Sequence, residues 1–196
     1  MSPNSKRRLR SRLEPVSPEH LLHLRRSELD HGGDAWRFGA LFPNPDEYAQ
    51  RMWNESTAPH LIVGDHETVH GLTFAYQLDL LNRVVFFSCI RFPVRKSAVA
   101  FWEGVATYLT FLFDSLDLRK IYVEVLESNL FHFESLIGSL LIEEAHYRER
   151  VFSGGWYQDL FVFAIERDRW FGSALSQLGS RAPTSPTFRR AHERGS

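Results

Sequence analysis

The stretch RFPVRKSAVAFWEG, residues 91 to 104, sets Arg95, Lys96 and Ser97 where a strand pattern gives way to a helix pattern. Small residues Ala98 and Ala100 follow, with no glycine before Gly104. A helix N-terminus offers unpaired backbone N–H groups and the positive end of the helix dipole, so such a junction can hold an anion, phosphate above all. Alanine supplies the same N–H as glycine wherever φ stays negative. It cannot cheaply take a positive φ or leave as much room for a ligand. Two readings stand: an anion-binding turn with its glycines replaced, or the basic start of a buried helix.

The second chemically equipped group is acidic. Glu124, Glu127, Glu134, Glu143 and Glu144 gather on and after a strand pattern over 119–127, and a patch of this sign attracts a protonated amine. Glu124 alternates with Val123 and Val125, so it faces either a cleft or solvent. His132 is either a surface or capping residue or a proton carrier, and Ser135 either acts or bonds back to the preceding turn. Tyr147 and Tyr157 flank a later hairpin pattern as packing aromatics or as proton donors. Cys89 is the single cysteine, which excludes an intramolecular disulfide and a Cys-based zinc site. It lies in an apolar strand pattern, so a buried thiol and a reducing, cytoplasmic setting are expected.

Charge divides the chain. Lys6, Arg7, Arg8, Arg10 and Arg12 form a basic arm, and Arg181, Arg189, Arg190 and Arg194 sit in the tail. Residues 13–180 keep 14 basic and 23 acidic side chains, a balance of −9. That body disfavours a broad nucleic-acid surface and suits a small cationic partner, although the arm alone could touch nucleic acid. The run 98–113 is apolar but holds Glu103 and is shorter than the about 20 residues a membrane span needs. No apolar stretch follows the basic start, so no signal peptide is expected.

The elements that must position these residues follow from period and punctuation. Residues 10–16 read as a strand. Ser17-Pro18 and Asn44-Pro45 each open a helix, the second running to about Asn54. HLIVGD is a short strand. From Gly71, Leu72, Phe74, Tyr76 and Leu78 alternate with Thr73, Ala75, Gln77 and Asp79, which predicts a strand with one polar face. Leu81-Asn82 turns the chain into the strand 83–92; the helix from the opening stretch ends near Leu116. A helix is expected over SNLFHFESLIGSLL, with Leu130, Phe133, Leu136, Ile137 and Leu140 on one face. A hairpin follows, AHYRERVF and WYQDLFVFAIE joined by Ser153-Gly154-Gly155. Past Arg169 the composition turns to Ser, Gly, Pro, Thr and Arg.

That order, together with LEPVSPEHLLHLRR, FDSLDLRKIYVEVLESN and EAHYRERVFSGGWYQDLFVFAIERDRW, resembles the GNAT superfamily of N-acetyltransferases over about residues 9–170. The likeness is strongest to its ribosomal-protein and spermidine acetyltransferase branch. It implies an α/β GNAT fold, a mixed sheet of about seven strands flanked by about four helices. The basic arm would then be residues 1–8, the domain 9–170 and a disordered tail 171–196. The family holds the pyrophosphate of acetyl-CoA on a Gln/Arg-x-x-Gly-x-Gly/Ala turn, for which the nearest match is Arg95-Lys96-Ser97-Ala98-Val99-Ala100. By the same likeness, backbone N–H groups around Ile90, Arg91 and Phe92 would meet the thioester oxygen, and Asn129 the pantetheine arm. Glu124 would serve as base or acceptor ligand. The tyrosine that protonates the leaving thiolate in spermidine acetyltransferases falls on Leu136, with His132 and Ser135 beside it. The implied activity is acetyl transfer to a primary amine without a metal, in a possible homodimer. The missing glycines and tyrosine equally suit a GNAT-shaped binding or regulatory module that has lost catalysis.

Overall fold

Helix α3 (Ala98–Ser115) is the apolar run of the opening stretch, and the sheet is laid against it. The computed structural model describes residues 10–21, 24–25, 44–92, 98–153 and 155–179. Before α3 come β1 (Ser11–Pro15), α1 (helical at 18–21 and 24–25), α2 (Pro45–Glu55), β2 (Ser56–Gly64), β3 (Val69–Asp79) and β4 (Val84–Arg91). After it come β5 (Lys120–Leu126), β6 (Ile142–Ser153), β7 (Trp156–Glu166), α4 (Arg167–Gly172) and α5 (Ala174–Gly179). All seven strands form one mixed sheet in the order β1-β2-β3-β4-β5-β7-β6, with β4 and β5 parallel and the other neighbours antiparallel. The α/β architecture with a seven-stranded mixed sheet is the one the sequence predicts.

The helix starts are chemically explicit. Asn44 takes extended backbone and its Oδ1 accepts from Asp46 N–H at 2.9 Å, with Pro45 fitting the first turn. At the β3–β4 turn Asp79 accepts from both the backbone and the side chain of Asn82, a local bond set that fixes a tight reversal.

The sheet is covered on both faces. Ala75, Val85, Phe87, Ile121, Val123 and Phe163 pack under α3. Leu61, Val63, Leu72, Phe74 and Tyr76 pack with Leu24, Tyr48 and Met52 of α1 and α2. This corrects the expected polar face of β3: Thr73 and Ala75 are fully buried, and the strand is exposed only from Gln77 on. Alternation of residue types there records two covered faces of different bulk. α3 sits so near β2 that a Cβ on Gly104 would lie 2.3 Å from Ile62 Cγ2.

The helix expected after β5 is absent. Residues Glu127–His132 make a 3₁₀ turn and the chain goes on in turns to Gly138, whose φ is +81°. Backbone bonds from Phe133 to Leu130, Leu136 to Phe133 and Ser139 to Leu136 step three residues, while those from Ile137 to Phe133 and Leu140 to Leu136 step four, so the segment is a run of turns with no continuous α ladder. Leu130, Phe133 and Leu136 are half-buried against the α3 cluster and Leu140 lies within it, while Ile137 is exposed. An α-helix would carry Ile137 inward with Phe133; the turns break that register.

Beyond β7, α4 and α5 carry the chain past Trp170 to Gly179. Among the described residues no helix is long and apolar enough to cross a membrane.

Candidate functional site

Strands β4 and β5 run side by side for four residue pairs, Val84↔Lys120 to Phe87↔Val123, and then part. Beyond that point Ser88 to Arg91 stay paired with β3, and Glu124 to Leu126 with β7. The result is a fork in the middle of the sheet, where backbone groups of two strands face each other across a gap. Phe92 N–H is committed to His70 O at 2.9 Å. Alternation along an antiparallel ladder turns Ile90 N–H the same way, toward β3, and Arg91 N–H toward the fork.

Glu124 is the first β5 residue past the last β4 partner. It points to the face opposite α3, since Val123 and Val125 belong to the α3 cluster. Its Oε2 accepts from Tyr76 Oη–H at 2.7 Å. Tyr76 stands on β3, so this bond crosses over β4, and the rings beneath it form a row: Tyr76 stacks on Phe86 at 5.4 Å and Phe86 tilts against Tyr122 at 5.2 Å. Tyr122 donates to Glu144 Oε2 at 2.9 Å, and Lys120 also pairs with Glu144. The Lys120 hydrogen bond, ahead of that from Tyr122, holds the Glu144 carboxyl below the usual carboxylate range. Burial, with Glu144 second, pushes the Tyr122 phenol up. Glu144 thus has a cation of its own. Glu127, Glu134 and Glu143 are exposed, which leaves Glu124 as the half-buried acid at the fork.

The opposite face carries the start of α3. Arg95, Lys96 and Ser97 lie outside the described residues. Ala98, Val99 and Ala100 form the first helical turn, where φ is negative and alanine is as suitable as glycine. No acid sits in that turn. The first acid, Glu103, is buried and accepts from Arg10 N–H at 2.9 Å, so its charge is engaged with the backbone leading into β1. Trp102 meets Phe133 edge-on at 5.9 Å, which joins α3 to the segment after β5.

The remaining predicted residues lie on that segment. Asn129 is exposed within the 3₁₀ turn, whose cap position is Leu126, without a side-chain cap. His132 is exposed and lies on the Phe131 ring at 3.8 Å; Ser135 is exposed in a turn, and Leu136 packs on the α3 cluster. Cys89 is half-buried beside that cluster, and burial pushes its thiol up to about 12. Among the described residues no group of three His, Cys, Asp or Glu side chains is placed to hold a metal ion.

The closing motif has a different office. Asp159 accepts from Glu149 N–H at 2.8 Å and from His146 Nε2 at 2.6 Å, clamping the irregular stretch of β6 between Tyr147 and Val151. Arg167 Nη1 donates to Phe113 O at 2.6 Å at the end of α3, where a cation suits the helix dipole. Trp170 is fully buried and donates to Thr110 Oγ1 at 3.2 Å. Tyr76 went unremarked in the sequence because strand alternation absorbed it; its one signal is a polar tip among purely apolar neighbours.

No protein-family model matches the chain, and no curated protein matches it in sequence. Solved structures do. A spermidine N-acetyltransferase from Vibrio cholerae in complex with CoA and spermine aligns at a TM-score of 0.68 and 20% identity, covering 83% of this chain and 98% of that one. A point mutant of the SpeG spermidine N-acetyltransferase of the same organism aligns at 0.70 and 19% identity, covering 83% and 96%. At that identity the likeness establishes the architecture: this chain has the GNAT fold of the spermidine N-acetyltransferases.

Proposed function

We propose that the protein is an N-acetyltransferase that moves the acetyl group of acetyl-CoA to a primary amine. The observation that carries this reading is the fork, with a half-buried carboxylate at its branch point on one face and an acid-free helix start on the other. The donor enters from the α3 side. Its phosphates lie against the first turn of α3, where Ala98 to Ala100 supply backbone N–H groups and Arg95 and Lys96 supply charge. The thioester oxygen takes a hydrogen bond from Arg91 N–H across the gap. The amine arrives from the opposite face, over the half-buried rings of Phe86 and Tyr122, which with the nearby Glu124 attract a cation. Glu124 takes a proton from the nitrogen as the C–N bond forms. The acceptor class follows from that lining: a polyamine, a lysine side chain or a protein N-terminus. The Vibrio cholerae neighbour, with its bound spermine, supports the first.

Asn129, His132 and Ser135 stand on the segment after β5 and belong to the donor side of this reading. We also place the protein in a reducing cytoplasm, where Cys89 stays a thiol, and propose a homodimer, which sedimentation at micromolar concentration checks. One contact favours a second reading, a binding module without catalysis: Trp102 against Phe133 joins the two walls between which the pantetheine arm must lie.

Calorimetric titration with acetyl-CoA and CoA, in parallel with Arg95→Glu, decides between them. Micromolar binding, about −8 kcal/mol, lost in the variant, supports the enzyme. Turnover with spermidine, a lysine peptide or an N-terminal peptide then names the acceptor. No heat at millimolar CoA overturns the acetyltransferase and leaves the binding module.

A further inference from the structure

Acyl transfer from a thioester needs a proton on the departing sulfur, and the segment after β5, residues 127–141, contains no tyrosine. We propose that Tyr76, on β3, is the proton donor and that it works as a relay with Glu124. This rests on the acetyltransferase reading and adds a second catalytic residue to it.

Three observations place the relay. The Tyr76 hydroxyl touches Glu124 Oε2 at 2.7 Å. That contact lies beside the first residues past the last β4–β5 pair, Phe87↔Val123, where the thioester must be reached by the amine. The Tyr76 ring is nearly fully buried and held by stacking on Phe86 and by Phe74 at 6.0 Å, so the hydroxyl is aimed with little freedom. The phenol thus sits over a neighbouring strand with its hydroxyl turned to the branch point.

The proton count closes. The acceptor ammonium gives its first proton to solvent. The neutral amine then attacks the carbonyl carbon and the C–N bond forms. The C–S bond breaks with its electron pair on sulfur. The surplus proton on nitrogen passes to the Glu124 carboxylate, the Tyr76 hydroxyl proton passes to the thiolate, and Tyr76 recovers a proton from Glu124. The net movement is one proton from nitrogen to sulfur, and both side chains return to their starting forms.

The test is steady-state kinetics of Tyr76→Phe with acetyl-CoA and the acceptor that the wild type uses, with Tyr157→Phe, on the exposed hairpin, as control. The relay predicts a kcat lower by about 10²-fold or more, with KM for acetyl-CoA and CoA affinity within about twofold of wild type. Because a packing defect also slows an enzyme, fluorotyrosines of graded acidity at position 76 supply the second measurement. Under the relay kcat varies with phenol acidity. A flat series, or a Tyr76→Phe enzyme with wild-type kcat, overturns the relay alone. A wild-type protein that neither binds CoA nor acetylates any amine overturns the acetyltransferase reading and the relay together.

Discussion

Two regions flank β5 and spend their polar residues in opposite ways. On one side, toward β4, the ladder stops after Phe87↔Val123, and Tyr76 and Glu124 meet where the strands have parted. On the other side, toward β7, the ladder runs unbroken from Lys120↔Glu166 to Leu126↔Leu160. There the polar residues of the closing hairpin and α4 are turned inward to the frame: Asp159 to Glu149 N–H, Arg167 to Phe113 O, and the Trp170 indole to the Thr110 hydroxyl. The residues that most resemble a known family are thus those that hold the architecture. Of the two residues proposed for the chemistry, Glu124 stands out in its strand pattern, while Tyr76 reads as ordinary packing.

The comparison breaks if the hairpin side proves catalytic. Trp170→Ala removes a fully buried indole and its bond to Thr110, and a loss of about 4 kcal/mol in unfolding free energy is expected. Activity per folded molecule should be unchanged, as denaturant melts combined with active-site titration would show. Glu124→Gln reverses the pattern. It keeps shape at a half-buried site, so the melt should move by under about 1 kcal/mol, while kcat falls by about 10²-fold. If the melt moves and the rate does not, Glu124 is structural. Gly71→Ala links the two readouts. Its Cβ would sit 2.2 Å from Ile90 O and 2.7 Å from the Phe101 ring, so the end of β4 must shift. Overpacking of that kind costs about 2 kcal/mol, and because Arg91 pairs with Gly71, KM and kcat should both suffer in the molecules that remain folded.

The strands, the Asn44-Pro45 start of α2 and the hairpin are legible in the sequence because each is announced locally, by period two, by a cap or by a glycine turn. The segment after β5 was misread for a definable reason. Leu130, Phe133, Leu136, Ile137 and Leu140 suit an α-helix, but the structure half-buries Leu130, Phe133 and Leu136 in successive turns, buries Leu140 and exposes Ile137. The burial of both faces of β3 was hidden because Thr73 counts as polar by type and is enclosed by tertiary packing. Of the proposed site, Glu124 was visible through its place in the strand pattern, and the family likeness gave Ile90, Arg91 and Phe92 together, of which ladder alternation turns Arg91 N–H to the fork. The bond from Tyr76 was not visible, since its partner lies 48 residues away and the contact spans an intervening strand.

The smallest effect expected lies in the hairpin, and it is a matter of pH. Hydrogen bonding from Glu149 N–H first, and from His146 second, holds the Asp159 carboxyl below its ordinary value. A depressed acid favours the folded form wherever the carboxylate is charged. Its contribution is therefore complete above the unfolded value near 3.8 and fades as pH falls through the lower folded value. Asp159 is partly exposed and makes one local clamp, so the whole-molecule melt should barely register this. The local reporter is the Glu149 amide, whose hydrogen bond ends on Asp159 Oδ1. Wild-type protection of that amide should hold from neutral pH down to about pH 4 and weaken below it, whereas Asp159→Asn should show weak protection throughout. Acetylation rates near neutral pH should be alike in the two proteins. A rate that follows the Asp159 substitution would place the hairpin in the chemistry and erase the contrast across β5.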